Sequence, residues 1–183
     1  MTMTIQRLLI LAALLFCQPS FAEKPAGELS DLFGKLQSAE NSQQAVLIET
    51  EIWKKWYERD ESAGGKKMTN AVQAMGAGRY TVALTLLDEL VKNESDFAEA
   101  WNRRATVHYL LGNYTESLQD IEKTLTLEPR HFGAISGIGM IMLKLGKTDK
   151  AMHAFERVLD ISPHNVGANK SVKELEKKLG PSI

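Results

Sequence analysis

Three glycines, Gly78, Gly112 and Gly146, stand 34 residues apart in this 183-residue chain. A glycine is tolerated where the backbone must take a positive φ, as at a tight turn that ends a helix. The residues around each glycine recur with it. Of Leu111, Tyr114, Ile121, Leu125 and Pro129, all but the tyrosine are matched one period later, by Leu145, Phe155, Leu159 and Pro163. One period earlier come Ala77, Tyr80, Leu87, Val91 and Ser95. A fixed period of this length means stacked copies of one small unit, none of which buries its apolar face alone.

The central copy, Trp101 to Pro129 (WNRRATVHYLLGNYTESLQDIEKTLTLEP), resembles the tetratricopeptide repeat, two antiparallel helices joined by a tight turn. Two strings, WNRRAT and EPRHFGA, resemble those of short secreted tetratricopeptide proteins of alphaproteobacteria. The resemblance implies an all-α fold, a right-handed superhelical stack of helix pairs. Expected pairs are about 66–77 with 80–92, 98–111 with 114–127, and 132–145 with 148–161, in repeats spanning 66–97, 98–131 and 132–165. Residues 60–65 (DESAGG) carry turn formers and no apolar anchor, which predicts a linker. A last helix over about 166–179, within 166–183, sets Val172, Leu175 and Leu179 on one face and lysines and glutamates on the other, as the lid of an open stack must.

Residues 23–59 carry two further helical patterns. Leu29, Leu32, Phe33 and Leu36 share one face, and Ala45, Ile48, Ile52 and Trp56 another, with a cap-like break at Asn41 and Ser42. This predicts a hairpin without the glycine turn or the proline stop, a degenerate or capping repeat.

The first 22 residues differ in kind. Arg7 is followed by an apolar run, Leu8 to Phe16, and then by Pro19 and the small residues Ser20 and Ala22. That is the pattern of a secretory signal peptide cleaved after Ala22, and the run is shorter than the roughly 20 residues a membrane span takes. Cys17 is the only cysteine, and Phe16 before it does not fit a lipid-anchor signal. The expected product is periplasmic or secreted and has neither a thiol nor a stable membrane anchor. The whole chain carries a net charge of -1, so no broad field recruits nucleic acid.

In the resemblance, the first helix of each pair lines a concave groove that holds a protein or peptide partner. The groove residues this implies are Met68, Val72 and Met75, then Asn102, Arg103, Thr106 and Tyr109, then Ser136, Met140 and Leu143. Methionines adapt to varied apolar partners. Arg103 is the candidate for an acidic or backbone group. Arg104, where the repeat expects an apolar residue, has two readings: a site with Arg103, or a pair with an acid such as Glu99 or Asp120. The stripe has two readings as well: an open groove, or one covered by the N-terminal hairpin or the last helix, since Trp53 and Trp56 lack an evident place. Some members grip chaperone tails with a lysine–asparagine clamp. Met68, Val72, Gly133 and Gly137 take its positions here, so that ligand is not carried over.

Of the four histidines, His108 takes a packing position, and none has the spacing of a zinc helix, so no metal or cofactor is expected. No phosphate loop, dinucleotide fingerprint or nucleophile elbow occurs, and an enzyme is not expected. The function implied is a scaffold or adaptor of the cell envelope. The alternative is a structural subunit that self-associates through its exposed stack ends.

Overall fold

The computed structural model describes residues 27–57 and 63–179. The expected signal segment and its cleavage position lie outside them. The described residues form nine helices: α1 (Glu28–Gln37), α2 (Ser42–Tyr57), α3 (Ala63–Gly76), α4 (Tyr80–Asn93), α5 (Ala98–Leu110), α6 (Tyr114–Leu127), α7 (Phe132–Lys144), α8 (Thr148–Ile161) and α9 (Val166–Leu179).

The three glycine turns are one structure repeated. Gly78, Gly112 and Gly146 have φ of 69°, 80° and 70°. After each, the next amide reaches back five residues: Arg79 N–H to Ala74 O at 2.9 Å, Asn113 to His108 at 2.9 Å, and Lys147 to Met142 at 2.9 Å. This motif satisfies the orphan carbonyls of a helix end and requires the left-handed residue between. A Cβ built on any of the three glycines meets nothing within 4 Å. The requirement is therefore one of backbone angle and not of space.

The second turn does not depend on proline as expected. α6 and α8 end two residues before Pro129 and Pro163, and α4 ends two residues before Ser95 in the same way. The same bond closes all three turns: Phe97 N–H to Glu94 O, His131 to Glu128 and Asn165 to Ser162, at 3.0–3.1 Å. The backbone turn stops each helix, and the prolines reinforce it.

Of the expected linker, residues 60–62 lie outside the described residues and the rest is helix. α3 begins at Ala63, so Gly64 and Gly65 lie within it. A Cβ on Gly64 would run into the Glu94 carboxylate. That neighbour is the tip of a flexible side chain, and Gly64 stands in the first turn of α3 and not in a linker. At the far end Leu175 is buried and Val172 half-buried, while Leu179 remains 49% exposed.

The N-terminal hairpin forms as expected. Asn41 Oδ1 accepts from Gln44 N–H at 3.0 Å, and Gln44 Oε1 accepts from Glu40 N–H at 2.8 Å, a reciprocal cap at the start of α2. Its location departs from that of a repeat stacked ahead of α3. α1 packs on α8, where Gln37 Nε2 donates to Asp160 O at 2.6 Å, and α2 packs on α5. Phe33, Leu36, Ile52 and Trp56 share one core with Phe132, Ile135, Phe155, Val158 and Leu175 of α7, α8 and α9. The reason is the supply of apolar partners. The hairpin's aromatic face finds its complement at the start of α7.

Candidate inner-face site

The first helices of the pairs, α3, α5 and α7, put their inner positions on one side of the stack. α2 lies across the N-terminal ends of α5 and α7. There Trp56 stacks flat on His131, with centroids 4.0 Å apart and planes at 8°. Trp53 meets His131 and Phe132 edge-on at 5.3 and 5.4 Å. Its ring edge fills the space over Gly133, where a Cβ would come within 2.4 Å of it.

Beneath the indoles, Glu99 is completely buried. It accepts hydrogen bonds from Asn102 Nδ2 at 2.9 Å and from Arg103 Nε, and it lies 3.0 Å from His131 Nε2. His131 Nδ1 accepts from Ala134 N–H at 3.2 Å, capping α7. A backbone amide can only donate, so Nδ1 carries no proton and the Nε2–H points at Glu99. A buried carboxylate is tolerable only when paired and hydrogen-bonded, and here three side chains supply that. Arg103 also lies over the rings of Trp53 and Tyr57, at 5.6 and 6.0 Å.

These contacts sort the expected groove residues. Asn102 and Arg103 each give one nitrogen to Glu99, Asn102 from a buried position and Arg103 from a side chain that stays 28% exposed. Met68 is fully buried in the first repeat's core and is not a groove residue. It packs with Ala71, Ala83 and Leu87 because α3 turns that side toward α4. Val72 and Met75 are half-buried against the same core. Ser136 donates its hydroxyl back to Phe132 O at 2.8 Å. The covered half of the groove is thus closed by the hairpin, one of the two readings left open by the sequence.

The other half is uncovered. Thr106, Tyr109, Gly137 and Met140 line a small cavity of about 40 Å³ between α5 and α7. Met140 and Leu143 are 41% and 40% exposed. Leu110, which the repeat register also places on this side, is 48% exposed. Tyr109 is half-buried beside Tyr114, with ring centroids at 5.9 Å. This is an apolar strip with few polar groups, the usual chemistry of a recognition groove.

Arg104 is structural. It makes a two-pronged bond to Asp120, Nε to Oδ2 at 2.8 Å and NH2 to Oδ1 at 2.7 Å, and a third bond to Asp88 Oδ1 at 2.8 Å. It also lies 4.9 Å over the Trp101 ring. The hydrogen bonds it donates to Asp120 raise its affinity for its proton above the usual arginine range against the opposing cost of burial. His108 packs close by, with Nε2 4.0 Å from Asp120.

Glu99 was expected beside the arginines as an acid partner, and His131, in the loop after Pro129, as a residue acting with them; their meeting in one buried network was not expected. Part of the signal was available, because Glu99, Asn102 and Arg103 have the i, i+3, i+4 spacing at which helix side chains meet. The histidine, 32 residues away, has no local relation to them.

Comparison with known proteins agrees with this geometry. Family models described as Tetratricopeptide repeat match residues 69–129 and 134–165. A TPR repeat-containing protein of Rhizobium etli is 38% identical over 125 residues, covering 68% of this chain and 61% of its own length. Among solved structures, the first TPR of Spaghetti (RPAP3) bound to an HSP90 peptide aligns with a TM-score of 0.59 at 19% identity, over 63% of this chain and 92% of that one. MamA aligns with a TM-score of 0.60 at 18% identity, over 76% of this chain and 79% of that one. With the repeat turns, the period and the two matched segments in agreement, the chain belongs to the tetratricopeptide repeat family.

Proposed function

We propose that this protein is a non-catalytic protein–protein interaction module. It binds an extended segment of a partner along the uncovered strip of its inner face and acts as a scaffold or adaptor in the cell envelope. One observation carries the reading: the half-exposed apolar row of Tyr109, Met140 and Leu143 lies on the side of the stack that α2 leaves free. The Spaghetti domain, a structural neighbour, is bound to a peptide, which supports a peptide or protein as the kind of partner. Side chains of these types carry much of the binding energy at interfaces, commonly about 2 kcal/mol or more each at the centre.

Crosslinking and pull-down of the full-length protein from its native cell tests the strip. Tyr109→Ala with Met140→Ala is expected to weaken capture of the partner more than tenfold, which corresponds to about 1.4 kcal/mol. Glu116→Ala with Gln119→Ala, exposed on α6, is expected to leave capture unchanged. Loss of capture through the α6 pair alone would move the working surface to the outer face.

The envelope location rests on the apolar run and small residues that precede Glu23. A periplasmic extract is expected to yield a chain beginning at Glu23. A cytoplasmic product that keeps residues 1–22 would remove the envelope role and leave the binding module standing.

A further inference from the structure

The contact between α2 and the stack has the anatomy of an interface between two bodies. Its centre is aromatic, with Trp53 and Trp56 on His131 and Phe132. Its rim is polar: Glu49 Oε1 accepts from Ser162 Oγ at 2.7 Å and from Asn165 Nδ2 at 2.8 Å. An aromatic centre with a polar rim is how separate proteins meet. Neighbouring repeats meet through small residues such as Ala71, Ala100 and Ala134 packed among aliphatic side chains and single aromatic rings such as Phe97, without the cluster of stacked rings found here.

The receiving side belongs wholly to the stack. Glu99 orients His131, and the same ring caps α7 through Ala134 N–H, so the flat face is held by groups outside the hairpin. Gly133 leaves the room that an indole edge occupies. The docked state is also incompletely satisfied. Trp56 Nε1 is buried with no hydrogen-bond partner among the described residues. A buried donor without an acceptor disfavours the state that contains it, and that cost disappears when the indole reaches water.

We infer that the seat at His131, Phe132 and Gly133 is a receptor for an amphipathic helix bearing two aromatic residues three positions apart. α2 fills it in cis, so the hairpin and an incoming helix of the same pattern exclude one another. The partner class follows from the occupant. Trp53 and Trp56 enter the seat, Ile52 is buried beside them, and Glu49 anchors the rim. A helix laid in a groove by such anchors is a general recognition mode. The inference does not rest on the open strip. Gly133 also borders the small cavity beside Tyr109 and Met140, so Glu49→Lys, whose bonds go to Ser162 and Asn165 and to no residue of that cavity, tells the two readings apart.

The probe is a fluorescein-labelled peptide of residues 42–57, titrated by anisotropy against the full-length chain. Wild type is expected to bind it weakly, because α2 already holds the seat. Trp53→Ala with Trp56→Ala should bind it at least tenfold more tightly. Adding Gly133→Leu should abolish that gain by filling the space the indole needs. A control peptide with both tryptophans replaced by alanine should bind neither protein. Equal affinity for wild type and the double variant would overturn the inference, as would binding of the control peptide. So would no binding to a double variant whose circular dichroism and melting remain helical and cooperative. If the double variant does not fold, Glu49→Lys serves in its place, because it removes the rim bonds and keeps both indoles; it should raise affinity for the peptide. An unchanged affinity there would equally count against a guarded seat.

Discussion

Glu99→Ala is expected to destabilise the protein by about 3–5 kcal/mol, the usual range for removing one partner from a buried charged network. The carboxylate is fully buried, and Asn102, Arg103 and His131 all point their donors at it. Truncation would leave a buried amide and a buried ring N–H without acceptors, and an arginine with its head turned inward. Urea unfolding followed by circular dichroism reads the loss. Glu99→Gln should cost less, since its carbonyl oxygen still accepts while the charge and one oxygen are lost. The damage should also reach beyond α5. His131 would lose the bond that aims its ring, and with it the flat face under Trp56. The tryptophan emission should therefore shift to the red in the native baseline, before any unfolding. A midpoint within error of wild type would mean that Glu99 is not the hub described.

Arg104→Ala is expected to cost a similar amount, about 3–5 kcal/mol, for an asymmetric reason. Asp120 is 3% exposed, and Arg104 is its main counter-charge; His108 is 4.0 Å away. Removing the arginine strands a buried carboxylate. Removing the acid is milder, because Arg104 keeps its bond to Asp88, whose side chain is exposed, and is itself partly open to solvent. Asp120→Ala should therefore cost less than Arg104→Ala. The double change Arg104→Met with Asp120→Leu should recover most of the loss, since a packed apolar pair often matches a buried ion pair in stability. A double-mutant cycle by urea unfolding measures the coupling. Equal costs for the two single changes would contradict the asymmetry. The arginine stands where the repeat expects an apolar residue, and its guanidinium joins α4, α5 and α6 by directed bonds in place of that residue.

The repeat frame was legible because its causes are local. A positive φ at Gly78, Gly112 and Gly146 follows from hydrogen bonds that span five residues, and these recur wherever the same short string recurs. The cap at Asn41 and the pairing of Arg104 with an acid on the next helix were within reach for the same reason, since both depend on neighbours along a helix or on the adjoining helix of one repeat.

The place of the N-terminal hairpin was not legible in that way. Its amphipathic pattern calls for an apolar partner but names none. The partner is settled by complementarity between side chains far apart in the chain. Glu49 bonds Ser162 across 113 residues, and Gln37 bonds Asp160 across 123. Met68 and Asn102 changed role for a related reason. The register put them on an inner face; the packing of α3 on α4 buried Met68, and Glu99 drew the Asn102 amide into a buried bond. The sequence by itself determined the helices, their turns and the period of the stack, which short-range bonds impose. Only the tertiary structure decided which half of the inner face stays open, because that depends on where two indoles find a flat ring and a glycine.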